Sequence, residues 1–190
     1  MYFWSRPASR GYRLLTAFAV FLVVGCLQSA DQALDKSLAA AGQHRTTVYP
    51  LAGKLTVDGL PPERESRERI IVMLNDPAKL DTSPNLRPHV FVGATGDFSF
   101  QTYVANDGVE PGTYIVTFAK LAKKRDGFVG PDGFHNLYND PEKNQEEYPE
   151  LKIDHQPPGK KNYEFKLQIA GRDPVEPSSK SLTKIGNRGK

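Results

Sequence analysis

The sequence predicts an all-β protein, a single seven-stranded Greek-key β-sandwich that follows an N-terminal signal peptide and precedes a disordered C-terminal tail. Gly and Pro supply 16 and 15 of the 190 residues, and their even spread favours many short elements joined by turns. Between Tyr49 and Ala170 the apolar residues lie in short runs, several of which alternate with polar residues at the period of a strand. The regular spacing of these runs between turn signals is typical of a sandwich.

The N-terminal segment has the composition of a secretory signal peptide. Arg6, Arg10 and Arg13 precede the apolar run 14–24, and no acidic residue occurs before Cys26. As an α-helix this run spans roughly 17 Å, which is too short for a hydrocarbon core of about 30 Å.

The basic charge of the chain belongs to this segment. Beyond those three arginines, basic and acidic residues are equal in number, at 22 each. A clustered basic face is therefore not indicated, and we expect no nucleic-acid partner.

Residues 23–26, Val-Val-Gly-Cys, resemble the lipobox of bacterial lipoproteins. In that family the cysteine thiol receives a diacylglyceryl group, and cleavage makes the cysteine the new N-terminus. The resemblance implies that residues 1–25 are a lipoprotein signal peptide and that Cys26 is a lipidation site anchoring the protein to a membrane. It is the only cysteine, so it cannot form an intramolecular disulfide, and acylation accounts for it. The alternative is an ordinary signal peptide with an unrelated cysteine.

The lipobox resemblance also implies a localisation. We expect an exported, membrane-anchored lipoprotein that faces the periplasm or the cell surface. Leu27 follows Cys26, whereas an aspartate at that position retains related lipoproteins at the inner membrane. The outer membrane is therefore the expected location.

Changes in composition set the remaining boundaries. Residues 26–46 are polar and Ala-rich and are predicted to be a lipidated tether. Leu34 and Leu38 lie one helical turn apart, so a turn or two of amphipathic helix is the alternative. Residues 47–171 carry the predicted strands. Residues 172–190 are rich in Pro, Ser, Lys, Arg and Gly, and are predicted to be a disordered tail.

Seven segments are predicted to be strands. Residues 51–57 alternate and end at the turn dipeptide Asp58-Gly59. Residues 70–74 form a continuous apolar run, which predicts a strand buried on both faces, and Pro77 limits its extent. The other predicted strands are 89–92, 98–104, 113–118, 151–154 and 163–169.

The order of these motifs resembles the carboxypeptidase regulatory-like, or transthyretin-like, β-sandwich domain of bacterial envelope lipoproteins. Residues 53–61, Gly-Lys-Leu-Thr-Val-Asp-Gly-Leu-Pro, match its first hairpin, and residues 109–116, Val-Glu-Pro-Gly-Thr-Tyr-Ile-Val, match a later strand. The resemblance covers residues 49–171 and implies a transthyretin-like or Ig-like sandwich. Tyr114 is expected to pack inward while its hydroxyl reaches a loop. Such folds host many unrelated functions, so the resemblance implies no particular activity.

Motifs for catalysis are missing from the sequence. The histidines lack metal-ligand spacing, and there is no zinc-protease, serine-hydrolase or phosphate-loop motif. The four histidines are His44, His89, His135 and His155. We therefore expect no enzymatic activity and no cofactor.

The long loop 123–150 is rich in side-chain oxygens. Asp126, Asp132, Asp140 and Glu142 are candidate ligands for a hard cation such as Ca²⁺, although their spacing differs from an EF-hand. The same residues have a structural interpretation, because Asp140-Pro141-Glu142 has the pattern of a helix N-cap, a proline at the first position and an acid in the first turn.

Three aromatic residues of this loop are candidates for partner binding. Phe134, Tyr138 and Tyr148 either pin the loop onto the sandwich or form a stacking surface for sugar rings or a partner protein.

Together these observations predict a non-catalytic, lipid-anchored cell-envelope β-sandwich that binds a protein or glycan partner through loops and strand edges. One alternative is a structural subunit of an envelope assembly whose edge strands extend another sheet. A second is a calcium-binding or enzymatic site in the loop 123–150.

Overall fold

A computed structural model describes residues 30–80, 87–124, 127–176 and 184–185. The chain divides into two units, residues 1–45 and 46–190. The predicted signal peptide 1–25, the lipidation site Cys26 and the candidate ligand Asp126 lie outside the described residues. Within the described ranges the fold is mostly β, with strands in two sheets and two short α-helices. None of the described helices has the length and apolarity needed to cross a membrane.

The first unit contains one described helix, α1 (Ala30–Ala40), inside the predicted tether. It is longer than the turn or two of helix that the sequence offers as the alternative to a tether. Arg45 folds back to pair with two acidic residues one helical turn apart, Asp31 and Asp35, each at 3.1 Å. The Ala-rich composition favours the helix, since alanine has the highest helix propensity, while such exposed ion pairs add little stability.

The second unit contains the strands. In chain order they are β1 (Leu51–Val57), β2 (Glu68–Asn75), β3 (His89–Phe91), β4 (Asp97–Ser99), β5 (Gly112–Lys124), β6 (Gly127–Val129), β7 (Lys152–His155), β8 (Lys160–Leu167) and β9 (Lys184–Ile185). Each predicted strand overlaps one of them, whereas β6 and β9 are additional. The helix α2 (Pro141–Glu147) and a short 3₁₀ helix, Pro149–Leu151, lie between β6 and β7.

The strands form a three-stranded and a six-stranded sheet. In the smaller sheet β1 lies between β4, to which it is antiparallel, and β8, to which it is parallel. The larger sheet has the order β3-β2-β5-β6-β9, and β7 also pairs with β5. All described pairs in the larger sheet are antiparallel.

Side chains of both sheets contribute to one hydrophobic core. The ring of Phe165 on β8 lies 5.3 Å from Phe118 on β5 and 6.0 Å from Phe98 on β4, measured between ring centroids. All three side chains are buried. Full burial of each such side chain contributes about 1.5–3 kcal/mol, so this contact between the sheets stabilises the unit.

Strand β2 is buried on both faces, which confirms the prediction from its continuous apolar run. Val72 and Leu74 belong to the core shared by the two sheets. Ile71 and Met73 belong to a second cluster of buried side chains, formed with Ala119 and other residues of β5. Alternate residues of a strand point to opposite faces, which explains the division.

The turn predicted at Asp58-Gly59 is confirmed. Both residues have positive φ angles, 50° and 81°, as the two central positions of a type I′ hairpin turn require. The Asp58 Oδ1 atom accepts hydrogen bonds from the backbone N–H groups of Ile169, at 2.9 Å, and Ala170, at 3.3 Å. The turn therefore also holds the chain that leaves β8.

The predicted disordered tail begins at residue 172, but the structure places its first residues against the domain. Arg172 donates a hydrogen bond to the Tyr148 hydroxyl at 3.0 Å. The Val175 N–H group donates to the His135 carbonyl at 2.8 Å, and the Val175 side chain packs against the core. Two hydrogen bonds and one apolar side chain hold this segment, and average composition does not show such individual contacts. Residues 177–183 and 186–190 lie outside the described ranges.

Candidate functional site

A cleft of about 420 Å³ lies where β2 ends and β5 begins. Its described walls come from four segments that are distant in sequence. These segments are 74–79, 87–88, residue 102, and 109–114. A concave site assembled from several loops is the usual setting for ligand binding, so this cleft is the candidate functional site.

One wall of the cleft is the short 3₁₀ helix Pro77–Lys79, which begins where β2 stops. Asp76 caps this helix, because its Oδ1 atom accepts the N–H of Ala78 at 2.9 Å. The second oxygen, Oδ2, pairs with the Lys79 ammonium at 3.3 Å. Pro77 cannot donate to the sheet, so the chain turns away from β2 at this point.

Arg87 forms a second part of the wall and is buried. Its Nη1 atom donates to Asn75 Oδ1 at 2.5 Å, and Nη2 donates to the Leu80 carbonyl. Asn75 in turn donates to the Ile115 carbonyl at 2.8 Å. The guanidinium group is therefore held by the end of β2 and by the residue that follows the 3₁₀ helix.

The opposite wall contains Tyr114 and Glu110. The Tyr114 hydroxyl donates to the Glu110 carbonyl at 2.9 Å, and the ring is partly buried against the core. This confirms the sequence-based expectation for Tyr114. Burial raises the pKa of Tyr114, and the negative charges of Glu110 and Asp76 raise it further. The hydroxyl consequently keeps its proton at neutral pH.

Residues 102–108 form a loop beside the cleft, and Thr102 is part of the lining. The sequence predicts a strand over 98–104, but β4 ends at Ser99. The reason is Asp107, whose carboxylate accepts the N–H groups of residues 102, 103 and 104 at 2.7, 2.8 and 3.0 Å. These bonds outweigh the opposing effect of burial and hold the pKa of Asp107 below its usual value. A side chain thus captures donors that a longer strand would have used.

Asp132 and Asp140, two of the candidate cation ligands, have separate structural roles. Asp132 is buried, with Oδ1 accepting the N–H groups of Lys120 at 2.7 Å and Phe134 at 2.9 Å. Its Oδ2 atom accepts the Asn139 amide at 3.0 Å. Burial raises the pKa of Asp132 to about 6, although these hydrogen bonds act in the opposite direction.

Asp140 and Glu142 lie at the start of α2 rather than beside Asp132 in a ligand set. Asp140 accepts the N–H groups of Glu142 at 3.0 Å and Lys143 at 3.3 Å, and Pro141 occupies the first helical position. The predicted helix cap is therefore confirmed. Over the residues that the structure describes, no three His, Cys, Asp or Glu side chains are grouped to hold a metal ion.

The candidate partner-binding aromatics are buried inside the domain. Phe134, Tyr138 and Tyr148 are only 3%, 3% and 9% exposed. The Tyr138 and Tyr148 rings lie 4.9 Å apart, and the Tyr138 hydroxyl donates to the Gln168 carbonyl at 2.9 Å. These side chains pin the loop onto the sheets, which is the first of the two interpretations that the sequence allows. Their rings offer little surface to a partner.

The cleft residues were not singled out for function by sequence reasoning, although a signal for some of them was present. Residues 111–114, Pro-Gly-Thr-Tyr, belong to a motif that the sequence analysis quotes, and they line the cleft. Asp76 before Pro77 has the pattern of a cap. No protein-family model, curated protein or solved structure matches this chain.

Proposed function

We propose that this protein is a non-catalytic, lipid-anchored domain of the bacterial cell envelope that binds a protein or glycan partner through its loops and strand edges. The cleft at the end of β2 and the start of β5 carries this proposal. Its walls are fixed by hydrogen bonds of Asp76, Arg87 and Tyr114, so the site is formed before a partner arrives. A preformed site binds without the cost of ordering its loops.

The proposed fold is a Greek-key β-sandwich of the transthyretin-like type. The shared core around Phe165 and Phe118 supports a face-to-face arrangement of the sheets. The position of β1 between β4 and β8, which both come later in the chain, supports Greek-key connections. The hydrogen bond of the Tyr114 hydroxyl agrees with the tyrosine corner found in sandwiches.

A binding role rather than catalysis is supported by the use of polar side chains in the loop 123–150 and of His155 in β7. Asp132 accepts backbone N–H groups, and Asp140 caps a helix. Buried His155 has its Nε2 atom 3.1 Å from the Tyr49 carbonyl. Each of these groups is engaged in holding the backbone.

The proposed lipid anchor is tested by substituting Cys26→Ala and separating membranes after a high-salt and carbonate wash. Two or more acyl chains give a stable anchor, since each buried methylene adds about 0.8 kcal/mol. We expect the unchanged protein to remain with the membranes and the variant to be released. A Ser29→Ala variant is the matched control. Retention of the Cys26 variant on washed membranes would show that the anchor is not a lipid at this residue.

Partner binding is tested in intact cells with a photoreactive amino acid at Thr113 in the cleft. The matched position is Lys166, an exposed residue of β8 at the edge of the smaller sheet. We expect a defined adduct from position 113 and none of the same mass from position 166. The absence of an adduct at both positions, or adducts of the same mass at both positions, would contradict the proposal that the cleft is the binding site.

The edge position also tests the alternative of a structural subunit. Among the described strands β8 pairs only with β1, so its other edge is available for another strand. A defined adduct from position 166 alone favours strand addition within an assembly.

A further inference from the structure

We propose that the cleft between Asp76 and Tyr114 binds a short neutral glycan, a mono- or disaccharide, through the hydroxyl groups of its sugar rings. This inference rests on the proposed binding function and specifies the class of ligand. It is carried by three properties of the described lining: the balance of donors and acceptors, the balance of charge, and the presence of apolar ring surfaces.

Two hydroxyl groups and a carboxylate of the described lining offer acceptors to a ligand, beside the donor groups of Lys79 and Arg87. A hydroxyl group has one hydrogen and two lone pairs, and a carboxylate only accepts. Tyr114 donates its hydrogen to the Glu110 carbonyl at 2.9 Å, and Thr102 donates its own to the Gly108 carbonyl at 2.7 Å. Both hydroxyls therefore have only lone pairs left for a ligand, and the Asp76 carboxylate, which already accepts from Ala78 and pairs with Lys79, can only accept. A ligand that satisfies them must be rich in hydrogen-bond donors.

The formal charges of the lining cancel. Asp76 and Glu110 are matched by Lys79 and Arg87. Asp76 already pairs with Lys79 at 3.3 Å, and Arg87 is fixed by Asn75. A charged ligand would therefore meet groups of its own sign as well as the opposite one. Among donor-rich ligands, the cleft consequently fits neutral hydroxyl groups better than ammonium or guanidinium groups.

Apolar surface lies beside these polar groups. Pro88, Pro111 and the ring of Tyr114 line the same cleft. A sugar ring has an apolar C–H face that packs on such surfaces while its hydroxyl groups bond at the edges. The volume of about 420 Å³ is in the range of small-molecule sites, which run from about 300 to 1,000 Å³.

Gly112 provides a way to fill the cleft without breaking the fold. A Cβ atom at this position would lie 3.5 Å from the Cζ and hydroxyl atoms of Tyr114, which is ordinary van der Waals contact. Gly112 is not among the residues with positive φ, and it starts strand β5. The backbone and the Cβ atom of a valine therefore fit at this position, and the γ-methyl groups add bulk near Tyr114.

The test is calorimetric titration of the full chain, purified in mild detergent, with glucose, maltose, cellobiose and N,N′-diacetylchitobiose. Glucosamine and glucuronic acid are the charged comparisons. We expect at least one neutral sugar to bind at millimolar or lower concentration, and Gly112→Val to weaken it by at least about tenfold. The Asp76→Asn variant, which retains a capping side chain, should weaken it as well. Lys166→Gln, on the distant strand β8, should leave the binding unchanged.

Three outcomes would overturn the proposal: no neutral sugar binds, only a charged sugar binds, or Gly112→Val binds as well as the unchanged chain. Unfolding curves of each variant show whether the fold is retained. The photochemical experiment at Thr113 separates the two proposals. An adduct at Thr113 without saccharide binding would refute the ligand class and leave the binding function standing. If neither an adduct nor saccharide binding is found, the binding function and the ligand class are both refuted.

Discussion

The Asp132 carboxylate accepts the backbone N–H of Lys120 at 2.7 Å, at a place where β5 has no described strand on one side. β7 pairs with residues 112–115 of β5, and β6 pairs with residues 122–124. Between them the loop supplies the partners, and the Asn144 amide likewise donates to the Val116 carbonyl at 2.9 Å. Side chains of the loop thus take the place of a strand and satisfy buried backbone groups.

Replacing Asp132 with alanine removes this substitute for a strand. The buried N–H groups of Lys120 and Phe134 lose their acceptor, and each unpaired buried donor costs about 1–3 kcal/mol. We expect the free energy of unfolding, measured with urea, to fall by about 2–4 kcal/mol. Asp140→Ala, which removes only a helix cap, should cost about 1 kcal/mol. Equal losses in the two variants would show that Asp132 does not hold β5.

The same carboxyl makes stability depend on pH. Burial raises the pKa of Asp132 to about 6 from an ordinary value of 3.8. Between these values the folded protein binds a proton that the unfolded chain has released, so the free energy of unfolding falls as pH rises. The fall amounts to about 3 kcal/mol and is complete above the folded pKa. Urea unfolding between pH 4 and 8 measures it.

The Asp132→Asn variant isolates this contribution. Its amide oxygen still accepts from Lys120, and Asn139 Oδ1, which has no partner among the described residues, can accept from the new amide after the Asn139 side chain rotates. The pKa values of Asp107 and Glu68 lie below their usual range, so these two groups make the free energy of unfolding rise with pH. They are present in both proteins, so the comparison of wild type and variant removes their contribution. The free energy of unfolding of the wild type minus that of the variant should therefore decrease as the pH rises. A constant difference would contradict the raised pKa.

The features that the sequence predicts correctly depend on residues close together in the chain. The turn at Asp58-Gly59 and the cap at Asp140 each involve a few adjacent residues. The role of Asp132 depends on Lys120, which is twelve positions away and exposes its N–H only because β6 and β7 leave a gap. The cleft depends on the approach of segment 74–79 to segment 109–114. Periodicity and local motifs carry no information about the contact between Asp132 and Lys120 or about the proximity of the two cleft segments.

Asp107 holds the backbone of residues 102–104 beside the cleft. Its carboxylate accepts three consecutive N–H groups, so Asp107→Ala should free residues 102–104 and lower the free energy of unfolding by about 1–3 kcal/mol. Hydrogen exchange followed by mass spectrometry should show faster exchange in this segment. The comparison is Asp97→Ala, an exposed residue whose side chain contacts the Thr95 hydroxyl. Unchanged exchange over 102–104 would contradict the assigned role.

The stabilisation by Asp107 should also depend on pH. Because its folded pKa lies below the unfolded value, its contribution is present above the unfolded pKa and is lost as pH falls through the folded one. Faster exchange in the Asp107→Ala variant should therefore be evident at neutral pH and diminish in acid. This direction is opposite to that expected for Asp132.

The Tyr114→Phe substitution separates the stabilising role of the hydroxyl from its role in the cleft. The variant keeps the ring and loses the hydrogen bond to the Glu110 carbonyl, which should lower the free energy of unfolding by about 0.5–1.5 kcal/mol. It also removes an acceptor from the cleft, so saccharide affinity should fall. Tyr103→Phe is the matched control, since the Tyr103 hydroxyl accepts the Thr46 N–H at 2.9 Å and is not part of the described lining. If both variants lose stability and only Tyr114→Phe loses affinity, the hydroxyl contacts the ligand directly; if both lose affinity equally, the effect comes from the fold.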